Sequence, residues 1–346
     1  MKVLIHTPEN IPEHTNSWNK FWREAAANDG IEYSEVDLFR VSAIETLKDY
    51  DVLLWHFDNY SYEDMLEARS ILYAAENMGL KVFPGFSEAW HFDDKIAEMY
   101  ALQAAGARIP KSHVYYDIDT LKQAIDKKII SFPVIAKLRT GSGSHNVKQI
   151  HNEKQLIKYA NVMFSVGLSP APSLLYKTSS NIRSVKGKQD FIKRFKRIPE
   201  FLRNLKSANK FPNEKGYVYL QDFIPNDGYD LKVVVCGDKL SGLNRPVRSY
   251  DFRASGGGAV QYNQSLFSTK VIDLAFETAK RLNVKCVGFD MVIDQHTQEP
   301  YIIEMSYGFS NQAIMGMGGY FTRNGKWHAT PLNAPHEILK ILLASV

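Results

Sequence analysis

Along the first ninety residues, apolar positions fall in short bursts separated by longer stretches of helical period. Strands are predicted over 2–6, 32–37 and 51–55, with a helix over 17–28 closed by Gly30. A second helix over 62–78, with Gly79 just past its end, leads into a strand over 81–83 that Pro84-Gly85 stops. Strand and helix therefore alternate, which predicts a parallel sheet with both faces covered. Thr7-Pro8-Glu9-Asn10 follows the first strand in place of a glycine fingerprint, which argues against a dinucleotide site there.

From about residue 87 the pattern changes. A helix through 95–105 ends at Gly106, followed by a strand over 112–115, a helix over 119–127 and an apolar strand over 132–137 that closes on Lys137. The stretch Leu138-Arg139-Thr140-Gly141-Ser142-Gly143-Ser144-His145-Asn146 then leads into another strand, 147–150. Residues 177–215 carry 12 Lys and Arg against 3 Asp and Glu and read as helix and loop inserted into a compact unit. Their apolar members, from Phe191 and Ile192 to Leu205, recur at spacings of three and four, so one helical stripe can dock while the basic residues face outward or toward a cleft. Strands follow over 217–223, 231–236 and 239–244, then a helix over 269–282. Segments 287–293 and 300–305 form a hairpin across the turn 294–299. The class is α/β, passing to α+β in the later part.

With 346 residues, 45% apolar and 23% charged, the chain has the material of about two domains and is neither disordered nor fibrous. Its apolar runs fall short of the ~18 residues of a membrane helix, and no secretory leader is expected. Cys236 and Cys286 sit in apolar runs and read as reduced core thiols of a cytoplasmic protein. Net charge is +4 but uneven: residues 1–110 hold 9 basic against 19 acidic residues, leaving 33 against 19 for the rest. Anion handling is therefore expected in the later two-thirds. No zinc-finger, RRM or basic-helix pattern is present, which argues against a nucleic-acid reader.

Three places gather chemistry. The glycine-rich loop after Lys137 can aim backbone N–H groups at phosphate oxygens beside a fixed positive charge, although a plain Gly/Ser hairpin loop has the same composition. In the terminal hairpin, strand alternation puts Glu304 and Ser306 on one face, and the partner strand can put Asp290 beside them. Such a set suits Mg²⁺, which takes oxygen ligands and phosphates; salt bridges to Lys or Arg are the other way to neutralise it. Third, Arg245, Arg248 and Arg253 precede Gly256-Gly257-Gly258, an arrangement fit to grip a phosphoryl group or carboxylate, or to be a solvated loop.

In this order the motifs resemble the ATP-grasp superfamily, most closely its RimK-like carboxylate–amine ligase branch, from about residue 95 to 308. The resemblance implies a parallel α/β domain over 1–86. It further implies a central ATP-grasp subdomain over 87–224 that carries the basic insert 177–215, and a C-terminal subdomain with the metal site over 225–346. It gives Lys95 and Lys137 to the ATP phosphates, and Gly141, Ser142, Gly143 and Ser144 to the loop that closes over them. Gln221, Asp222, Phe223 and Ile224 take the adenine hinge, Asp230 the ribose, and Asp290 and Glu304 Mg²⁺, with Ser306 a weaker third ligand. Arg253 and Arg245 become the catalytic cations.

The family's Glu-x-Asn stands here as Glu304-Met305-Ser306, Phe-Arg-Ser-Asn as Phe252-Arg253-Ala254-Ser255, and Asp-x-Arg as Asp230-Leu231-Lys232. These departures bear on the second metal and on the acceptor contacts. The implied reaction activates a small-molecule or peptide carboxylate as an acyl phosphate, which an amine acceptor attacks. The basic insert would favour an anionic acceptor, and the sequence leaves room for a homo-oligomer. A nucleotide-binding protein without turnover, or another ATP-grasp phosphoryl transfer, are the alternatives. The tail beyond 308 is loosely similar to ATP-grasp proteins of surface-polysaccharide synthesis. His328 in that tail reads either as an acceptor-orienting group or as an ordinary edge histidine.

Overall fold

The computed structural model describes residues 1–9, 17–58, 61–141, 144, 146–170, 211–247, 253 and 259–344. Its contacts divide the chain into two units, one of Met1–Asp58, Leu66–Lys111 and Ile224–Val346, the other of Asn59–Met65 and Ser112–Phe223. Residues 87–111, expected to open the central subdomain, thus fall in the first unit. The reason is packing: Leu102 joins the core of the C-terminal sheet, Ala107 and Ile109 pack against that core, and Ile302 N–H donates to Arg108 O at 2.9 Å.

The first unit begins with β1 (Val3–His6), β2 (Tyr33–Val36), β3 (Val52–Leu54) and β4 (Lys81–Phe83) in the order β2-β1-β3-β4, all parallel as the pattern predicts. Every residue of β1 and β3 is buried. The helix Asn19–Asn28 turns Trp22, Ala25 and Ala26 inward, at helical spacing.

In the second unit, β5 (Ser112–Tyr115), β6 (Val134–Lys137), β7 (Lys148–Ile150) and β8 (Val218–Asp222) form an antiparallel sheet in the order β5-β8-β6-β7. The helix Glu153–Met163 was not anticipated, yet its signal is in the chain. Asn152 caps it by accepting Gln155 N–H at 3.1 Å, and Leu156, Tyr159, Ala160 and Met163 are buried at i, i+3, i+4 and i+7.

The first unit's other sheet contains β9 (Tyr229–Cys236), β10 (Lys239–Pro246), β11 (Cys286–Ile293), β12 (Pro300–Ser306), β13 (Tyr320–Thr322) and β14 (Trp327–His328), in the order β12-β11-β9-β10-β13-β14. One face, with Leu231, Val233, Val235, Phe289 and Met291, packs on the helix Thr269–Leu282 through Val271, Ala275 and Phe276. The hairpin β11–β12 forms as predicted, with a bulge: Asp290 pairs with Glu304 but Met291 with Ile302, so Ile303 is extra. This lets both Ile302 and Met305 point into the apolar core while Glu304 and Ser306 share the opposite face. Cys236 and Cys286 are register partners on β9 and β11, both free and buried.

The tail elements β13, β14 and the helices Asn311–Met315 and Ala334–Ala344 were not predicted either. All but the helix Ala334–Ala344 are short, and tertiary contacts hold them. The Trp18 indole N–H donates to Phe309 O at 2.9 Å, that of Trp22 to Pro335 O at 3.1 Å, and Tyr307 Oη accepts Phe57 N–H at 2.9 Å. Phe83 and Phe92 pack against Tyr307, so an aromatic seam ties the parallel sheet to the tail. Among the described residues no helix is long and apolar enough to cross a membrane.

Tyr307→Phe leaves the buried Phe57 N–H without its acceptor and is expected to lower unfolding free energy by about 1–3 kcal/mol in urea titrations; unchanged stability contradicts the seam's role. Acid sensitivity follows from His6, whose ring stacks on Trp55 at 3.7 Å and accepts Leu38 N–H at Nδ1. Burial lowers its pKa from 6.5 to about 3. The unfolded chain then binds the extra proton first, so this contribution is complete above pH 6.5 and is lost as pH falls toward 3. Stability is expected to drop by about 1.4 kcal/mol per pH unit for each such histidine. His6→Asn, which can still accept from Leu38 N–H, should make the slope shallower by one proton's worth.

Candidate functional site

The polar face of the six-stranded sheet is built by register. Arg245 lies opposite Asp230, Lys232 opposite Asp290, Asp290 opposite Glu304, and Gly288 opposite Ser306. Arg245 grips Asp230 with two hydrogen bonds, 2.7 and 2.8 Å, and reaches Asp290 Oδ2 at 3.0 Å, while Lys232 Nζ stands 2.5 Å from Asp290 Oδ1. Burial alone would raise Asp290, but Arg245 and Lys232 outweigh it and hold its carboxyl down to about 2. Asp230 goes the other way, to about 6, from burial and the charge of Asp290 against the pull of Arg245. The two acids share one guanidinium and titrate as a pair.

The helix Lys95–Ala104 brings a third cation to this face. Asp94 caps it, accepting Ala97 N–H at 3.0 Å, and the Lys95 ammonium, almost fully buried, lies 3.6 Å from Asp93 and 3.7 Å from Glu304. One turn on, Glu98 is buried and accepts Met305 N–H at 3.3 Å. Burial first, then the charge of Glu304, pushes its carboxyl well up. Sequence reasoning passed over Glu98, whose only signal is a carboxylate on the helix face that also carries Met99 and Leu102.

Salt bridging, one of the two readings of the hairpin acids, is thus what the structure contains. Asp290 Oδ1 nevertheless has no other partner among the described residues than the Lys232 ammonium, which meets it as a close ion pair. A buried carboxylate oxygen of this kind, with Glu304 as its cross-strand partner, fits one Mg²⁺ completed by phosphates and water. Ser306 lies on the same face, and its hydroxyl accepts Gly308 N–H at 3.0 Å. No group of three or more His, Cys, Asp and Glu able to hold a metal occurs among the described residues.

In the second unit, Lys137 ends β6, buried, with Tyr219 as its register partner. Gln221 lies opposite Ile135 and Ser112, and Asp222 opposite Val134. The unit boundary falls between Phe223 and Ile224, both half-buried. The unforeseen residue here is Glu214. It accepts Arg139 N–H at 2.8 Å and Thr140 N–H at 3.0 Å, together with the hydroxyls of Thr140 and Tyr217, and its own backbone pairs with Leu168. The chain is therefore pinned just before Gly141, whose φ of +115° favours glycine. Ser144 also has positive φ, 59°.

Arg253 is half-buried and lies outside the helices and strands. Ser142, Gly143, His145, Arg248, Phe252, Ala254, Ser255, Gly256, Gly257, Gly258 and positions 177–210 of the basic insert lie outside the described residues. His328 stacks on Tyr320 at 5.0 Å, which supports its reading as an edge histidine.

No family model and no curated protein matches the sequence. Solved structures do. An ATP-grasp RimK domain protein from Sphaerobacter thermophilus matches with a TM-score of 0.55 at 15% identity, over 99% of this chain and 100% of that one. A D-alanine–D-alanine ligase from Bacillus anthracis complexed with ATP matches at 0.54 and 13% identity, over 100% and 99%. The ATP-grasp ligase PsnB complexed with a minimal precursor matches at 0.56 and 13%, again over 100% and 99%. At these identities the likeness is one of fold.

Glu214→Ala removes the acceptor of Thr140 N–H, and the exchange of that amide with solvent is expected to accelerate at least about tenfold. Unchanged protection would show that something else pins the start of the loop.

Proposed function

Since the chain has the ATP-grasp fold, we propose that it is an ATP- and Mg²⁺-dependent carboxylate–amine ligase that forms an amide or peptide bond through an acyl phosphate. The observation that carries the reading is the cation-balanced pair Asp290 and Glu304, register partners with Lys95 at 3.7 Å from Glu304 and Lys232 at 2.5 Å from Asp290. In the other unit, the sequence resemblance that assigns Lys137 and Gln221 to ATP is supported by their burial on neighbouring strands, β6 and β8.

A carboxylate oxygen attacks the γ-phosphorus and ADP leaves. The amine then attacks the acyl carbon, phosphate departs with the former carboxylate oxygen, and the nitrogen loses a proton. A free carboxylate resists amines because its leaving group would be oxide; phosphorylation replaces it with one already ionised. When bound, Mg²⁺ neutralises phosphate charge. The chain's own part is positioning and electrostatics. Asp290 and Glu304 hold the metal, and Lys95 and Lys137 hold phosphate oxygens. Gln221, Asp222, Phe223 and Ile224 bind adenine, with Gly141 to Ser144 over the phosphates.

Two assignments change. Asp230 was expected at the ribose and Arg245 among the catalytic cations, yet they are bonded to each other. In this reading Asp230 orients Arg245, and Arg245 fixes Asp290; Arg253 retains the acyl-phosphate role. The substrates are a small-molecule or peptide carboxylate and an amine.

Hydroxylamine trapping tests the proposal. With ATP, Mg²⁺ and a panel of amino acids, peptides and uronic acids, at least one acid should yield a hydroxamate with equimolar ADP. ATP binding without hydroxamate from any acid would instead favour a nucleotide-binding protein. Lys137→Met should weaken ATP binding by about 1.5–3 kcal/mol in calorimetry, and Glu304→Gln should abolish metal-dependent turnover; a folded Glu304→Gln protein with normal turnover refutes the metal assignment.

A further inference from the structure

Lys232 is a cation standing where a metal would have to bind. Its ammonium lies 2.5 Å from Asp290 Oδ1, an oxygen that receives no hydrogen bond among the described residues. The contact is a close ion pair. Asp290 Oδ2 belongs to Arg245, which two hydrogen bonds to Asp230 hold in place. Arg245 is fixed by a bidentate fork, whereas Lys232 ends a flexible stem whose ion pair, among the described residues, is with Asp290 alone. Of the two cations on Asp290, Lys232 is the one that can leave.

We propose that Lys232 is an internal competitor for the metal at Asp290. It neutralises the buried carboxylate in the nucleotide-free protein and passes to a phosphate oxygen when nucleotide arrives, so that metal loads with the nucleotide rather than before it. The inference rests on the ligase reading, in which metal and phosphates share these residues. Its physical basis is simple. A divalent ion beside an ammonium on one carboxylate is repelled, most strongly where solvent is scarce. A buried carboxylate stripped of its ammonium, by contrast, needs another cation. Phosphate oxygens give Lys232 an equivalent partner, and its flexible stem can change partners. Lys232 acts here as a positioning residue whose effect is read in metal affinity.

Mn²⁺ binding to the full-length protein, followed by electron paramagnetic resonance with and without ADP, tests this apart from turnover. The wild type should bind Mn²⁺ weakly alone and more tightly with ADP. Lys232→Gln should bind Mn²⁺ without nucleotide at least about tenfold more tightly than wild type. Lys232→Arg keeps the charge and should stay near wild type, and adding Asp290→Asn to Lys232→Gln should remove the gain. Lys232→Gln also loses a counter-charge, so its melting temperature should fall, and Mn²⁺ should raise it by more than it raises the wild type. A Lys232→Gln protein whose Mn²⁺ affinity and Mn²⁺-induced melting shift equal or fall below wild type overturns the proposal while leaving the ligase reading intact. Absence of any ADP-dependent Mn²⁺ binding in the wild type overturns both.

Discussion

The alternating charges Asp230, Arg245, Asp290 and Lys232 are the interaction on which the polar face of the six-stranded sheet depends. Asp230 and Asp290 are nearly inaccessible, and a buried carboxylate is costly unless cations and hydrogen bonds compensate it. Arg245 serves both acids. Lys232 serves one, and the oxygen it serves has no hydrogen bond. A stable half of the network thus adjoins an exchangeable half, beside Glu304 and Lys95. That asymmetry makes the face a candidate for chemistry as well as a structural salt bridge.

Each unit fixes its functional groups by means remote from them. In the first, the bulge at Ile303 sends Ile302 and Met305 to the core and leaves Glu304 with Asp290, while Glu98 holds the Met305 N–H from beneath. In the second, Glu214 gathers four donors and fixes the chain two residues beyond Lys137. Both glutamates accept main-chain N–H groups, and Glu214 accepts two hydroxyls as well.

The legible parts of the sequence were those in which a period is long enough to assign a face. Strand alternation put Asp290, Glu304 and Ser306 together, and the β-α alternation predicted the parallel sheet. The helix Glu153–Met163 carries a clear cap and apolar spacing and was readable in principle. The tail was not, because β13 and β14 have only three and two residues and depend on partners far away in the chain. Nor does periodicity say which cation an acid meets: Asp230 with Arg245, or Lys232 with Asp290, follows from register between strands. Glu214 and Glu98 escaped notice because a single carboxylate has no pattern until the fold supplies its donors.

The most direct test of the metal and nucleotide assignment is anomalous diffraction from crystals of the protein with Mn²⁺ and a non-hydrolysable ATP analogue. The account predicts a manganese peak within about 2.2 Å of carboxylate oxygens of both Asp290 and Glu304, with Lys232 withdrawn from Asp290 onto a phosphate. A bound nucleotide with no manganese at these acids, and with the Lys232–Asp290 pair intact, would contradict it.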